Sequence, residues 1–185
     1  MIAIINSGGA NIASVKFALE RLDVRSVLTD DVNVIRSADK VVLPGVGAAP
    51  VAMQRLASAG LIECIRTLQQ PVLGICLGMQ LLFSRSAEGN VPLLGLFDAT
   101  CNAFTPTLQR SVPHMGWNQL AFLQDHPLLA GVDNGAHVYF VHSYFAPVTT
   151  QTIAGYTYGH DFTAIVGEKN FVGCQFHPER SGSVG

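Results

Sequence analysis

The chain is short of charge. Asp, Glu, Lys and Arg make up only 13% of its 185 residues, against 49% hydrophobic residues. That excludes a disordered polyelectrolyte and fits one compact domain, spanning 1–185, with a sizeable core. It also leaves a surface suited to cover by a partner. No Lys/Arg run is present and the net charge is −2, so no nucleic-acid partner is expected. No apolar stretch is long enough to cross a membrane as a helix, so no membrane association is expected. The opening Met1–Gly9 has no basic segment; it reads as a buried first strand rather than a signal peptide. No C-x-x-C pair occurs. The four cysteines, Cys64, Cys76, Cys101 and Cys174, are scattered, which argues against a disulfide framework and for a reducing, cytoplasmic setting. H-E-x-x-H is missing and the histidines are dispersed, so no zinc site is expected; nothing in the pattern asks for a cofactor.

What is present is an alternation of short apolar runs with helical patterns. Ile2–Asn6 is apolar enough for a parallel strand covered on both faces. Asn11 is placed to cap a helix whose Val15, Ala18, Leu19 and Leu22 share a face. Strands are expected at Val24–Leu28, Lys40–Leu43 and Val72–Ile75. Helices are expected at Pro50–Ser58, Leu61–Gln69 and Leu77–Arg85, the first two split by Gly60. Such alternation implies right-handed crossovers and a parallel sheet. The last third reads as strands with short links, at His137–His142, Thr152–Thr157, Thr163–Val166 and Phe171–Gln175. The expected fold is therefore a three-layer α/β sandwich, mostly parallel, with antiparallel additions. The 86–135 segment, rich in Gly and Pro, is expected to hold loops and short strands. The glycine-rich turn Ser7–Asn11 lacks both G-x-G-x-x-G and G-K-[ST], so it is read as scaffold and not as a phosphate loop.

Three strand ends carry chemistry. Gly74-Ile75-Cys76-Leu77-Gly78 has the form of a nucleophile elbow, with cysteine between a buried strand and a helix. Small flanking residues suit so sharp a turn. The elbow lifts the sulfur above the carboxyl end of the sheet, and the helix N-terminus favours thiolate. Gln175-Phe176-His177-Pro178-Glu179-Arg180 supplies a base and an orienter: His177 to move the proton, Glu179 to hold its tautomer, Pro178 to stiffen the link. Pro44-Gly45-Val46-Gly47 can present N–H groups of Val46 or Gly47, completing an oxyanion hole with the N–H of Leu77. Cys64, Cys101 and Cys174 read as structural. So do His114, His126, His137, His142 and His160, in the core or at the surface.

P-G-V-G, G-I-C-L-G-M-Q and Q-F-H-P-E, in this order and spacing, resemble the class I (triad-type) glutamine amidotransferases. Pro113-His114-Met115-Gly116-Trp117-Asn118 and Tyr139-Phe140-Val141-His142-Ser143-Tyr144 narrow the resemblance to the glutaminase subunits of imidazole glycerol phosphate synthase, in histidine biosynthesis. The resemblance implies a flavodoxin-like fold and a Cys76–His177–Glu179 triad. It also implies glutamine hydrolysis through a glutamyl thioester. Ammonia would pass to a cyclase partner, a (β/α)8 barrel in a heterodimer, which makes imidazole glycerol phosphate and an aminoimidazole carboxamide ribonucleotide. By the same resemblance Gly45, Gln80, Ser143 and Tyr144 hold glutamine. Trp117, Asn118 and Arg180 line the partner face. Weak activity without the partner is expected, because the glycines of Pro44–Gly47 permit a peptide flip. The family often has Asp where Asn6 stands, and continues past the position of Gly185 into a helix of about three turns. The rival readings are the amidotransferase subunit of anthranilate, aminodeoxychorismate or guanylate synthesis, a non-catalytic regulatory subunit of the same fold, and a hydrolase or stress protein with a cysteine elbow.

Overall fold

A computed structural model of the chain describes residues 1–8 and 11–185. Gly9 and Ala10, at the centre of the glycine-rich Ser7–Asn11 turn, lie outside the described residues. The first half runs β1 (Ile2–Ile5), α1 (Ile12–Arg21), β2 (Ser26–Thr29), α2 (Val32–Ser37), β3 (Lys40–Gly45), α3 (Ala49–Ser58), α4 (Leu61–Arg66), β4 (Val72–Cys76) and α5 (Leu77–Leu81). The second half is built from strands: β5 (Phe83–Ser86), β6 (Val91–Pro92), β7 (Phe97–Ala103), β8 (His114–Gln119), β9 (Ala121–Phe122), β10 (His137–His142), β11 (Tyr144–Phe145), β12 (Thr152–Thr157), β13 (Asp161–Glu168) and β14 (Phe171–Cys174).

The main sheet has eight strands in the order β2-β1-β3-β4-β14-β13-β12-β9. From β2 to β14 neighbours are parallel; β13, β12 and β9 add on antiparallel. This is the mixed α/β architecture the alternation implies. Period-2 alternation with both faces buried explains the apolar runs. Ala3, Ile5, Val41 and Leu43 point into the layer under α3, α4 and α5. Ile4, Val42 and Ile75 point to the opposite layer, with Val15 of α1 and Phe140 of β10. Each fully buried Ile or Leu of these layers contributes about 1.5–3 kcal/mol. Among the described residues no helix is long and apolar enough to cross a membrane.

Several local expectations need correction. The helix after Cys76 ends at Leu81, and Phe83–Ser86 is a strand of a separate four-stranded sheet, β11-β7-β5-β6. The 86–135 segment holds more than short strands: β7 has 7 residues and β8 has 6, the latter paired with β10. The helix α2 was not expected; Asp31 caps it, its Oδ1 accepting from Asn33 N at 2.7 Å. Leu22 does not join the buried face of α1, being 71% exposed just past the helix end. Asn11 makes no side-chain cap; its amide is used elsewhere. Gly60 splits α3 from α4 with a left-handed φ of 67°, a conformation glycine adopts without penalty.

The topology fixes where chemistry can occur. β3, β4 and β14 are adjacent parallel strands. Pro44–Gly47, Cys76 and His177 lie at or just beyond their carboxyl ends, so three segments distant in sequence meet on one sheet edge.

Candidate active site

Cys76 sits at the turn from β4 into α5 with φ 54° and ψ −111°, a backbone conformation that costs an L-residue energy and persists where the surroundings enforce it. The two flanking glycines supply the enforcement. A Cβ on Gly78 would lie 1.8 Å from the Leu43 carbonyl oxygen, and one on Gly74 would lie 2.7 Å from the Gly78 oxygen. The elbow thus packs directly on the backbone of β3, and no larger residue fits at either position. Gly45, paired in register with Cys76, has the same duty: its Cβ would meet Gly78 N at 2.8 Å. Its backbone packs against the elbow, next to Val46 and Gly47 of the pocket lining.

The Cys76 Sγ lies 3.7 Å from both the Val141 carbonyl and Gln175 Nε2. His177 stands three residues past the end of β14, and its own N–H donates to the Tyr139 carbonyl at 2.9 Å. Ser181 locks this turn, donating to the His177 carbonyl at 2.7 Å and accepting from Tyr139 N at 3.0 Å. Glu179 Oε1 is 2.8 Å from His177 Nδ1, with both side chains almost wholly buried. Burial opposes charge on the imidazole, but the Cys76 sulfur and the Glu179 carboxylate outweigh it and raise His177 to about 9. Burial likewise opposes the Glu179 anion, yet bonds from His177 and Asn11 leave its carboxyl below the ordinary value.

The Asn11 amide donates to Glu179 Oε1 and lies 3.1 Å from His177 Nδ1. Sequence reasoning placed Asn11 as a helix cap. Its role at the carboxylate depends on a contact 168 residues away that no local pattern encodes.

A pocket of about 440 Å³ opens over Cys76, within the range of small-ligand sites. Val46, Gly47 and Leu77 line it, as do Gln80, Ser143, Tyr144 and His177. The structure therefore gathers every sequence-predicted oxyanion and substrate residue except Gly45. Gln80 is already committed: its Nε2 donates to the Tyr144 carbonyl at 2.8 Å and to Gln175 Oε1 at 2.9 Å. Glu88, not foreseen, also lines the pocket, and one of its oxygens accepts from Ala49 N at 2.7 Å. Ser7 Oγ donates to the Pro44 carbonyl and braces the Pro44–Gly47 turn. A larger concavity of about 690 Å³ lies at the β9–β12 edge of the sheet. Neither cysteine nor histidine lines it, so the smaller pocket is the site.

Trp117 is 53% exposed, and Arg180 is exposed beside the His177–Glu179 turn. Asn118, next along β8, faces inward: its Oδ1 accepts from Tyr156 Oη and its Nδ2 donates to His114 Nε2, both at 2.6 Å. Strand alternation puts it on the face opposite Trp117.

A strained cysteine, a buried imidazole–carboxylate pair and backbone N–H groups around one pocket are the parts of an acyl-transferring hydrolase. The profile of the class I glutamine amidotransferases matches residues 3–185, and the chain belongs to that family. Among curated relatives, the "Imidazole glycerol phosphate synthase subunit HisH" of Xanthomonas axonopodis pv. citri is 52% identical over 184 residues, covering 100% of this chain and 92% of the relative. The protein of the same name from Pasteurella multocida is 50% identical over the same span. The fold is shared more widely. A crystal structure of a glutamine amidotransferase superposes with a TM-score of 0.74 at 17% identity, over 96% of this chain and 90% of the other. PurLQS from Thermotoga maritima gives 0.68 at 18% identity, over 97% and 87%.

Proposed function

We propose that this chain is the glutaminase subunit of an imidazole glycerol phosphate synthase, with Cys76, His177 and Glu179 as its triad. The observation that carries the reading is the strained Cys76 elbow opening into the same pocket as the buried His177–Glu179 pair. The Cys76 thiolate attacks the side-chain carboxamide carbon of glutamine. N–H groups of Leu77 and of Val46 or Gly47 receive the developing oxyanion. His177, protonated at neutral pH because its value is raised to about 9, delivers a proton to the departing nitrogen, and ammonia leaves. Water then attacks the thioester as His177 takes its proton. Collapse of the second tetrahedral intermediate returns the thiolate and yields glutamate. Glu179 holds the imidazole by its Nδ1 throughout.

Ser143 and Tyr144 form the wall along the substrate, and Gln80 fixes that wall from behind. The Glu88 carboxylate is the group suited to the α-ammonium of glutamine. The partner is a cyclase barrel seated over the β8–β10 face, with Trp117 and Arg180 at its contact and Asn118 bracing the strand from inside. The names of the relatives favour this synthase over other amidotransferase partners.

The test is glutamate release from glutamine, with and without the cyclase subunit and its nucleotide ligand. Stimulated activity that Cys76→Ala abolishes supports the reading. Glutamine left intact by the wild type in the complete mixture refutes it.

A further inference from the structure

From the pocket lining at His142 a part-buried chain of polar side chains, which the triad does not use, runs back into the protein. Tyr156 Oη donates to Asn118 Oδ1 at 2.6 Å, and Asn118 Nδ2 lies 2.6 Å from His114 Nε2. His114 Nδ1 lies 2.9 Å from His142 Nε2, and His142 Nδ1 lies 2.8 Å from the Tyr144 carbonyl oxygen. The two rings are 1% and 6% exposed.

One atom sets the direction of the whole chain. A carbonyl only accepts, so His142 Nδ1 carries hydrogen. Burial among Phe104, Phe162 and His114 strips the His142 ring of solvation and drops it to about 3, and His114 falls to about 4 for the same reason, so both are neutral near pH 7. A neutral His142 with hydrogen on Nδ1 has a bare Nε2, which must accept from His114 Nδ1–H. His114 Nε2 is then bare in turn and accepts from the Asn118 amide, leaving the Asn118 oxygen for the Tyr156 hydroxyl. Turning the Asn118 amide round would require hydrogen on His114 Nε2 and force His142 to become a buried cation. Every donor therefore points inward, toward the Tyr144 carbonyl.

That carbonyl has two partners, His142 Nδ1 and Gln80 Nε2, each at 2.8 Å. Both lone pairs are engaged. The neighbouring Ser143 carbonyl is held by Phe104 N at 3.0 Å. The segment Ser143–Tyr144 is thus fixed from behind by one side chain of α5 and one of β10, while its front lines the pocket over Cys76.

We propose that His142, oriented by His114, is a positioning residue of the glutamine site: its Nδ1–H clamps the Tyr144 carbonyl and so fixes the Ser143–Tyr144 wall against which substrate binds. The kinetic half rests on the glutaminase reading; the polarity of the chain does not.

Two variants separate the links. Asn in place of His142 puts an amide N–H where Nδ1 stands, keeping the donor to Tyr144 and losing His114. Gln reaches the Nε2 position, keeping His114 and losing Tyr144. With the synthase partner present, His142→Gln raises KM for glutamine about tenfold with kcat unchanged, the effect of one lost hydrogen bond in substrate placement. His142→Asn stays within about twofold of wild type. Nitrogen NMR of the wild-type imidazoles shows hydrogen on Nδ1 of both His142 and His114. Equal impairment in the two variants, wild-type KM in His142→Gln, or hydrogen on Nε2 of either ring overturns the clamp. If wild type hydrolyses no glutamine, the functional reading fails, and the ring tautomers alone then decide for or against the clamp.

Discussion

His177 and Glu179 depend on each other for their charge. Without Glu179, the imidazole loses one of the two partners that lift it to about 9 against burial. Glu179→Gln should therefore lower the His177 midpoint, read by NMR titration of the ring. The linkage has a definite sign. A raised imidazole contributes stability that is fully present below its unfolded value, about 6.5, and is lost as pH rises through about 9. A lowered carboxyl contributes stability present above its unfolded value, about 4.3, and lost as pH falls through its depressed folded value. The thermal midpoint of wild type should thus exceed that of Glu179→Gln most near neutrality, and the gap should close as pH passes about 9. A gap that is constant with pH would show that the variant acts through packing alone. Glu88 permits a second test at this scale. Glu88→Gln keeps an oxygen for the Ala49 N–H but removes the charge that the proposed reading assigns to the substrate ammonium. KM for glutamine should rise about tenfold to a hundredfold, as expected for a hydrogen bond to a charged group, with the thermal midpoint unchanged.

The elbow is the element on which the site stands, and its tolerance is small. Gly78→Ala would drive a Cβ into the Leu43 carbonyl, 1.8 Å away. Since β3 and β4 are both interior strands, neither can retreat without disturbing a ladder. The expected cost is about 1–3 kcal/mol, seen as a lower denaturation midpoint, together with slower alkylation of Cys76 as its sulfur leaves the pocket. Wild-type alkylation and stability would show that the elbow is not held by this contact. The same element shows what a sequence can and cannot disclose. G-x-C-x-G is legible because steric demand at each glycine is absolute and local. The end of α5 was not legible: Leu81, Leu82 and Phe83 are apolar and suit a helix or a strand equally, and pairing of Phe83 with Phe97 in β7 decides it. α2 escaped because six residues carry too little periodicity. Cys76, His177 and Glu179 were legible as candidates because such chemistry restricts residue type at two neighbouring strand ends. Asn11, Gln175 and Glu88 were not, since their roles arise only from the meeting of distant segments.

At the scale of the whole molecule, the shortage of charge acquires a location. On the outward face of β8 and β10, Met115 stands opposite Val141, Trp117 opposite Tyr139 and Gln119 opposite His137. Met115 is 64% and Trp117 53% exposed, and Trp117 makes an edge-to-face contact with Tyr139 at 6.0 Å. The inward residues Val138 and Phe140 of β10 are fully buried beside the polar His114, Asn118 and His142 of the same face, so the ribbon's exposed apolar side chains, Met115 and Trp117, lie on its outward face. Val141 also lines the catalytic pocket, which makes this face continuous with the site. A synthase subunit seated here would cover apolar surface and stand next to the point of ammonia release in a single contact. Large aromatic side chains at the centre of such contacts dominate their energy. Trp117→Ala should therefore weaken association with the cyclase by at least about 2 kcal/mol, roughly thirtyfold in Kd, while the thermal midpoint of the isolated chain stays put. Val51→Ala provides the control: Val51 is 51% exposed but sits on α3, whose buried residues pack into the opposite layer, and its loss should not change the affinity. Calorimetric titration of each variant with the cyclase distinguishes the cases. Equal affinities for wild type and Trp117→Ala would remove the β8–β10 face from the interface and leave its exposed apolar ladder without a partner.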